Sequence, residues 1–93
     1  MKTHEIKIEP HYYQSVINGS KTCEIRKDDR DYQVNDKIIF KLLTDEKTVR
    51  GFDEEYDGDW LIMNRNVFVI THVLRGGQLG LYQNWVALSI KKY

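Results

Sequence analysis

The sequence predicts an α+β domain that is mostly β, a small barrel of five to six mainly antiparallel strands with a short helix after strand one. Three observations predict it. Several stretches alternate apolar and polar residues with the period of two that marks half-buried strands. A single segment, bracketed by Pro10 and Gly19, carries helical spacing. With 93 residues there is room for one domain, 1–93, and curling the sheet on itself is an economical way to remove its edges.

From Thr3 to Glu9 the apolar Ile6 and Ile8 alternate with Glu5, Lys7 and Glu9, which predicts the first strand. Pro10 suits the first position of a helix, where its missing N–H costs nothing, and Gly19 suits the left-handed position just past the end. Between them Tyr12, Tyr13, Val16 and Ile17 form a stripe that packs on the sheet, with Gln14 and Asn18 facing water. Lys21 to Lys27 alternates again, and this pattern assigns Cys23 and Ile25 to the core face and Thr22, Glu24 and Arg26 to the polar one. A charged turn, Asp28-Asp29-Arg30-Asp31, leads to Lys37–Leu43, a strand apolar on both faces and therefore either central or crossing a barrel interior. Residues 44–66 read as a long excursion holding one strand. Val67 to Leu74 and Trp85 to Lys91 are the closing strands, joined by Gly76-Gly77-Gln78-Leu79-Gly80.

Lys and Arg number 14 and so do Asp and Glu, so no excess charge attracts the chain to a polyanion and any nucleic-acid site must be a local patch. The apolar share, 41%, is too high for a disordered chain. One cysteine, Cys23, excludes an internal disulfide. No stretch approaches the roughly 20 apolar residues of a membrane helix, and the start lacks the apolar run of a signal peptide. A cytoplasmic location with no membrane partner is therefore expected.

The most informative stretch is Gly19-Ser20-Lys21-Thr22-Cys23-Glu24-Ile25-Arg26, where a helix stop leads into a strand carrying a lysine, a carboxylate and a guanidinium. Arg26 has the geometry to hold a phosphate or carboxylate with two parallel hydrogen bonds. Glu24 can orient that guanidinium or accept from a base amine, and Lys21 adds a mobile positive charge. On chemistry alone a solvated strand face is the commoner role for such residues.

Gly19-x-Lys21-x-x-Glu24-x-Arg26 resembles the G-x-K-x-x-E-x-R signature of ASCH domains, the activating-signal-cointegrator homology superfamily, whose small barrel is similar to that of PUA domains. The wider chain resembles a bacterial and phage branch of unknown function, through Ile8-Glu9-Pro10-His11-Tyr12-Tyr13, Glu24-Ile25-Arg26-Lys27-Asp28-Asp29-Arg30 and Val73-Leu74-Arg75-Gly76-Gly77-Gln78-Leu79-Gly80-Leu81. The resemblance implies RNA or nucleotide binding in a cleft lined by Gly19, Lys21, Glu24 and Arg26. A similar ASCH branch deacylates N4-acetylated cytidine with the signature lysine, a threonine and a later glutamate. Here Glu24 stands at the threonine's place, so the hydroxyl expected in acyl transfer is absent. Other members are similar to ribonucleases, in which Lys21, Glu24 and Arg26 would act as phosphate clamp and general base.

Beyond the signature, Arg30 extends the basic run Arg26-Lys27, Tyr32 is the candidate to stack on a base, and Gln78 is a candidate to read a base edge. Asp53-x-Glu55-x-Asp57-Gly58 imitates the first half of a calcium loop, but position twelve is Asn64 and no helix leads in, so calcium is not expected. His4, His11, His72 and Cys23 lack the spacing of zinc ligands. No metal and no cofactor is implied. The leading expectation is an RNA- or nucleotide-binding module. A small hydrolase using Lys21 and Glu24 in the same pocket and a protein-interaction module are the alternatives.

Overall fold

Residues 1–43 and 55–93 are described by a computed structural model. The order is β1 (Thr3–Ile8), α1 (Pro10–Ile17), β2 (Cys23–Lys27), β3 (Lys37–Leu43), β4 (Glu55–Asp57), β5 (Trp60–Ile62), β6 (Phe68–Arg75) and β7 (Trp85–Lys92). All seven strands belong to one sheet. The mostly β, α+β class is as the sequence predicts. The excursion over 44–66 differs, because its described part is a hairpin of two short strands, β4 and β5, where one was expected. Asp53 and Glu54 of the calcium-like run lie outside the described residues.

Strand β3 organises the sheet, as its two-sided apolar pattern implies. It pairs in parallel with β1 from Lys37 to Leu42. Its other edge is shared, meeting β6 at Lys37 and Ile38 and β5 from Lys41 to Leu43. The remaining neighbours are antiparallel, β6 with β7 and β7 with β2. Ile6, Ile38, Phe40, Ile70, Val86 and Leu88 are fully buried on the inner face, which α1 covers with Tyr13 and Val16. The Phe40 ring meets Tyr13 and Phe68 edge-on, with centroids 6.0 and 5.5 Å away. Each such burial stabilises the fold by roughly 1.5 to 3 kcal/mol.

The expected barrel does not close. Strand β1 pairs only with β3 and β2 only with β7, so among the described residues these two remain sheet edges with no ladder between them. Side chains span the gap instead. Arg26 Nη1 donates to the Lys7 carbonyl oxygen at 2.9 Å, and Arg30 Nη1 donates to that of Glu5 at 2.8 Å. Each guanidinium reaches from the β2 side to a carbonyl that β1 leaves without a strand partner, a polar way to satisfy an edge.

Helix α1 ends as its sequence predicts. Gly19 adopts φ +84°, its N–H donates to the Val16 carbonyl, and the Lys21 N–H donates to that of Ser15. This turn delivers Lys21 to the start of β2.

Asp36 joins three parts of the chain. It is buried just before β3, and its carboxylate accepts from the Lys2 amide at 3.0 Å, the Gln33 amide at 3.1 Å and His4 Nε2 at 2.8 Å. Its backbone carbonyl accepts from the Ile70 amide. Burial by itself raises the Asp36 pKa. The hydrogen bonds from His4, Lys2 and Gln33, with the charge of His4, outweigh it and hold the carboxyl below the usual carboxylate value.

Two predictions follow from this packing. A Cβ at Gly76 would stand 2.0 Å from the Tyr82 carbonyl oxygen and 2.8 Å from that of Trp85, both backbone atoms that cannot swing away. Gly76→Ala is therefore expected to cost on the order of 2 kcal/mol or more in urea unfolding. Because the folded-state pKa of Asp36 is depressed, its contribution to stability is present above the ordinary carboxyl value of the unfolded chain and is lost as pH falls through the folded value. Asp36→Ala, which leaves His4 and two amides without their acceptor, should cost roughly 3 kcal/mol at neutral pH and flatten the acid limb of the stability curve. An unchanged acid limb would show that Asp36 is not its source.

Candidate functional site

The face assignment of β2 is reversed from the one its alternation suggested. Glu24 is buried, while Cys23 is exposed and Ile25 is 59% exposed. The inward carboxylate is paired. Glu24 Oε1 accepts from Lys21 Nζ at 2.5 Å and Oε2 from Arg26 Nη1 at 3.3 Å, so the inward carboxylate has a cation on each oxygen. Cys23, read from sequence as a core thiol, and Ile25 turn outward because strand parity follows Glu24.

Lys21 also donates to the Cys23 carbonyl oxygen at 2.5 Å, as Arg26 donates to that of Lys7. The side chains of Lys21 and Arg26 are 27% and 28% exposed against 7% for Glu24, so the cations rise around a sunken carboxylate. The three residues line a groove of about 460 Å³ between the unpaired edges of β1 and β2. Lys7 and Glu9 border it on the β1 side, and Tyr12, 49% exposed on the first turn of α1, stands at its rim. This volume falls in the range of small-molecule sites, on the order of 300 to 1,000 Å³.

The other candidate residues lie elsewhere. Gly19 shapes the turn and borders a neighbouring hollow that it shares with Lys21 and Thr22. Arg30 and Tyr32 border a separate pocket on the far side of Arg26. Tyr32 corrects the stacking assignment, since it is fully buried with its ring 4.7 Å from that of His4 and offers no face to a base. Burial pushes its phenol pKa up, against the opposing charges of Arg26 and Arg30. Gln78 sits on the exposed β6–β7 connection with its amide turned back to the Arg75 carbonyl. Arg75 itself is committed to Asp28, at 2.8 and 2.9 Å, and to the Tyr32 carbonyl. Sequence reasoning placed Tyr12 in the packing stripe with Tyr13. Only Tyr13 is buried, and the neighbour one residue earlier is the aromatic that reaches the groove. Among the described residues no His, Cys, Asp and Glu side chains cluster as a metal site, and no helix is long and apolar enough to cross a membrane.

The family model described as "Domain of unknown function (DUF3850)" matches residues 3–90. The chain belongs to that family. It is also 31% identical over 86 residues to the "Uncharacterized 12.9 kDa protein in GpA 3'region" of Escherichia phage P2, an alignment that takes in 86% of this chain and 75% of the relative. The Lys21–Glu24–Arg26 groove and the Asp36 junction both lie within the span matched by the DUF3850 model.

The outward turn of Cys23 is directly measurable. The folded protein should release one equivalent of thiol in Ellman's assay as readily as the denatured chain, because the only cysteine is exposed. A thiol that reacts only after denaturation would restore the opposite register for β2.

Proposed function

We propose that the groove between β1 and β2 binds RNA or a nucleotide, as a member of the ASCH and PUA-like group that its signature resembles. The observation that carries the reading is the placement of Lys21, Glu24 and Arg26. They are not a solvated strand face, because the carboxylate between the two cations is nearly shut from water and faces a groove of ligand size. Lys21 and Arg26 supply positive charge for a phosphate. Glu24 braces Arg26 through Oε2, and its remaining acceptor capacity suits an exocyclic base amine. Tyr12 supplies the aromatic face that Tyr32 cannot, at the rim where a base would emerge. The zero net charge of the whole chain agrees with a local contact and not with diffuse attraction to a polyanion.

Because Arg26 also spans the sheet edges, the informative variants are Lys21→Ala and Tyr12→Ala. Purified protein incubated with short RNAs, nucleotides and N4-acetylcytidine, followed by mass spectrometry, should retain a ligand without converting it. Lys21→Ala is expected to weaken that binding and to lower the slope of log affinity against log salt by about 1. Tyr12→Ala should weaken it by roughly 1 to 3 kcal/mol. Equal affinity in both variants sinks the reading, and product formed in excess over protein and lost in Lys21→Ala makes the same groove a hydrolase.

A further inference from the structure

We propose that a second pocket, bordered by Arg26, Lys27 and Arg30 with Tyr32 beneath them and Trp85 as its wall, is a binding site for a phosphoryl group. It occupies about 390 Å³ and shares only Ile25 and Arg26 with the groove, so the proposal does not rest on the nucleotide reading.

Two independent features support it. The first is charge. Three cations border the pocket against one carboxylate, Asp29. The guanidiniums of Arg26 and Arg30 are engaged through Nη1 with the backbone carbonyls of Lys7 and Glu5, and Arg26 also with Glu24. A guanidinium carries five N–H donors in a fork, and an anionic oxygen is a stronger partner than a neutral carbonyl, so both arginines retain capacity for an oxyanion. The second feature is the Tyr32 hydroxyl. Tyr32 is fully buried, and its oxygen meets no partner in good hydrogen-bond geometry, its one side-chain hydrogen bond being a loose one with Arg26. A buried hydroxyl so weakly partnered is unfavourable, and Tyr32 borders the same pocket as the two guanidiniums. When those guanidiniums turn to a ligand, they uncover a neutral donor for one more of its oxygens.

The donor set favours phosphoryl over carboxylate. One arginine fork saturates the two oxygens of a carboxylate, whereas two guanidiniums, an ammonium and a hydroxyl bordering one pocket from β2 and the connection after it suit three or four oxygens on one centre. Trp85, 36% exposed beside them, adds a flat wall for whatever the phosphoryl group is attached to.

The test is titration of the folded protein with inorganic phosphate, read by NMR at the two indole N–H groups. A saturable shift is expected at Trp85 and none at Trp60, which lies against Lys7. Tyr32→Phe, which removes one oxygen from a dry site and keeps the ring, and Arg30→Gln should each weaken binding at least tenfold. Lys91→Ala, which removes an exposed cation outside this pocket, should leave phosphate binding unchanged, so that a loss in Arg30→Gln is not one of net charge. Thermal midpoints of all variants verify folding. A nucleoside 5′-monophosphate and a dinucleotide phosphodiester then distinguish a terminal from an internal phosphate, and tighter binding of either one supports the site. Absence of a saturable shift at Trp85, or unchanged affinity in Tyr32→Phe or in Arg30→Gln, overturns the proposal.

Discussion

The structure depends on how two sheet edges that never meet are held together. Strands β1 and β2 are two edges of a sheet whose strand path runs from β2 to β4, and the hydrogen-bonded ladder that would join β1 and β2 in a barrel is replaced by Arg26 on Lys7 and Arg30 on Glu5. A backbone ladder would have left no space between these strands. A bridge of long side chains leaves an opening, and the groove occupies it. The same substitution places charged groups at the opening. Arginine is suited to this because its fork can cap a carbonyl and still offer donors outward, which a lysine ammonium in the same place would do with less geometric definition.

Glu24 makes the bridge directional. Without a carboxylate between them, Lys21 and Arg26 would repel one another; with it, each has a fixed partner and each also caps a strand carbonyl. The hydrogen bonds run from β1 through Arg26 and Glu24 to Lys21, which the left-handed turn at Gly19 delivers from the end of α1. Any ligand anion entering the groove therefore competes with a protein carboxylate for the same cations. Such competition favours ligands that carry more charge than a carboxylate, in keeping with a phosphate.

Much of this was legible in the sequence, and the parts that were not have physical causes. The order of elements, the helix bracketed by Pro10 and Gly19 and the centrality of β3 follow from period and punctuation, and each is observed. The signature residues Lys21, Glu24 and Arg26 are indeed brought together. The register of β2 departs from its alternation because a paired carboxylate can occupy an inward position; here Glu24 has a cation on each oxygen and faces in, and Cys23 and Ile25 face out. Barrel closure was misjudged because an edge can be satisfied by side chains distant in sequence, as Arg30 does for Glu5, 25 residues away. Tyr12 is exposed at the groove and Tyr32 is buried, the reverse of their expected exposure, for a related reason. A tyrosine in a helical stripe and one after a basic turn look alike in sequence, and only the packing of His4 against Tyr32 distinguishes them.

The energetics of the triad bear on why it is charged at all. A nearly buried carboxylate between two partly buried cations loses hydration that its Coulomb attraction only partly offsets, and apolar side chains of similar volume at such a position are often as stable or more so. Stability alone therefore gives little reason to place Lys21, Glu24 and Arg26 at the mouth of an opening. Asp36 provides the contrast within the same molecule. Its carboxylate is enclosed by the Lys2 and Gln33 amides and by His4, and ties β1 to the β2–β3 connection. One buried acid is surrounded by donors that belong to the backbone and the core, and its role is complete within the fold. The other is held by Lys21 and Arg26, which are partly exposed at the groove, and the proposed binding of a ligand there would give that arrangement its use.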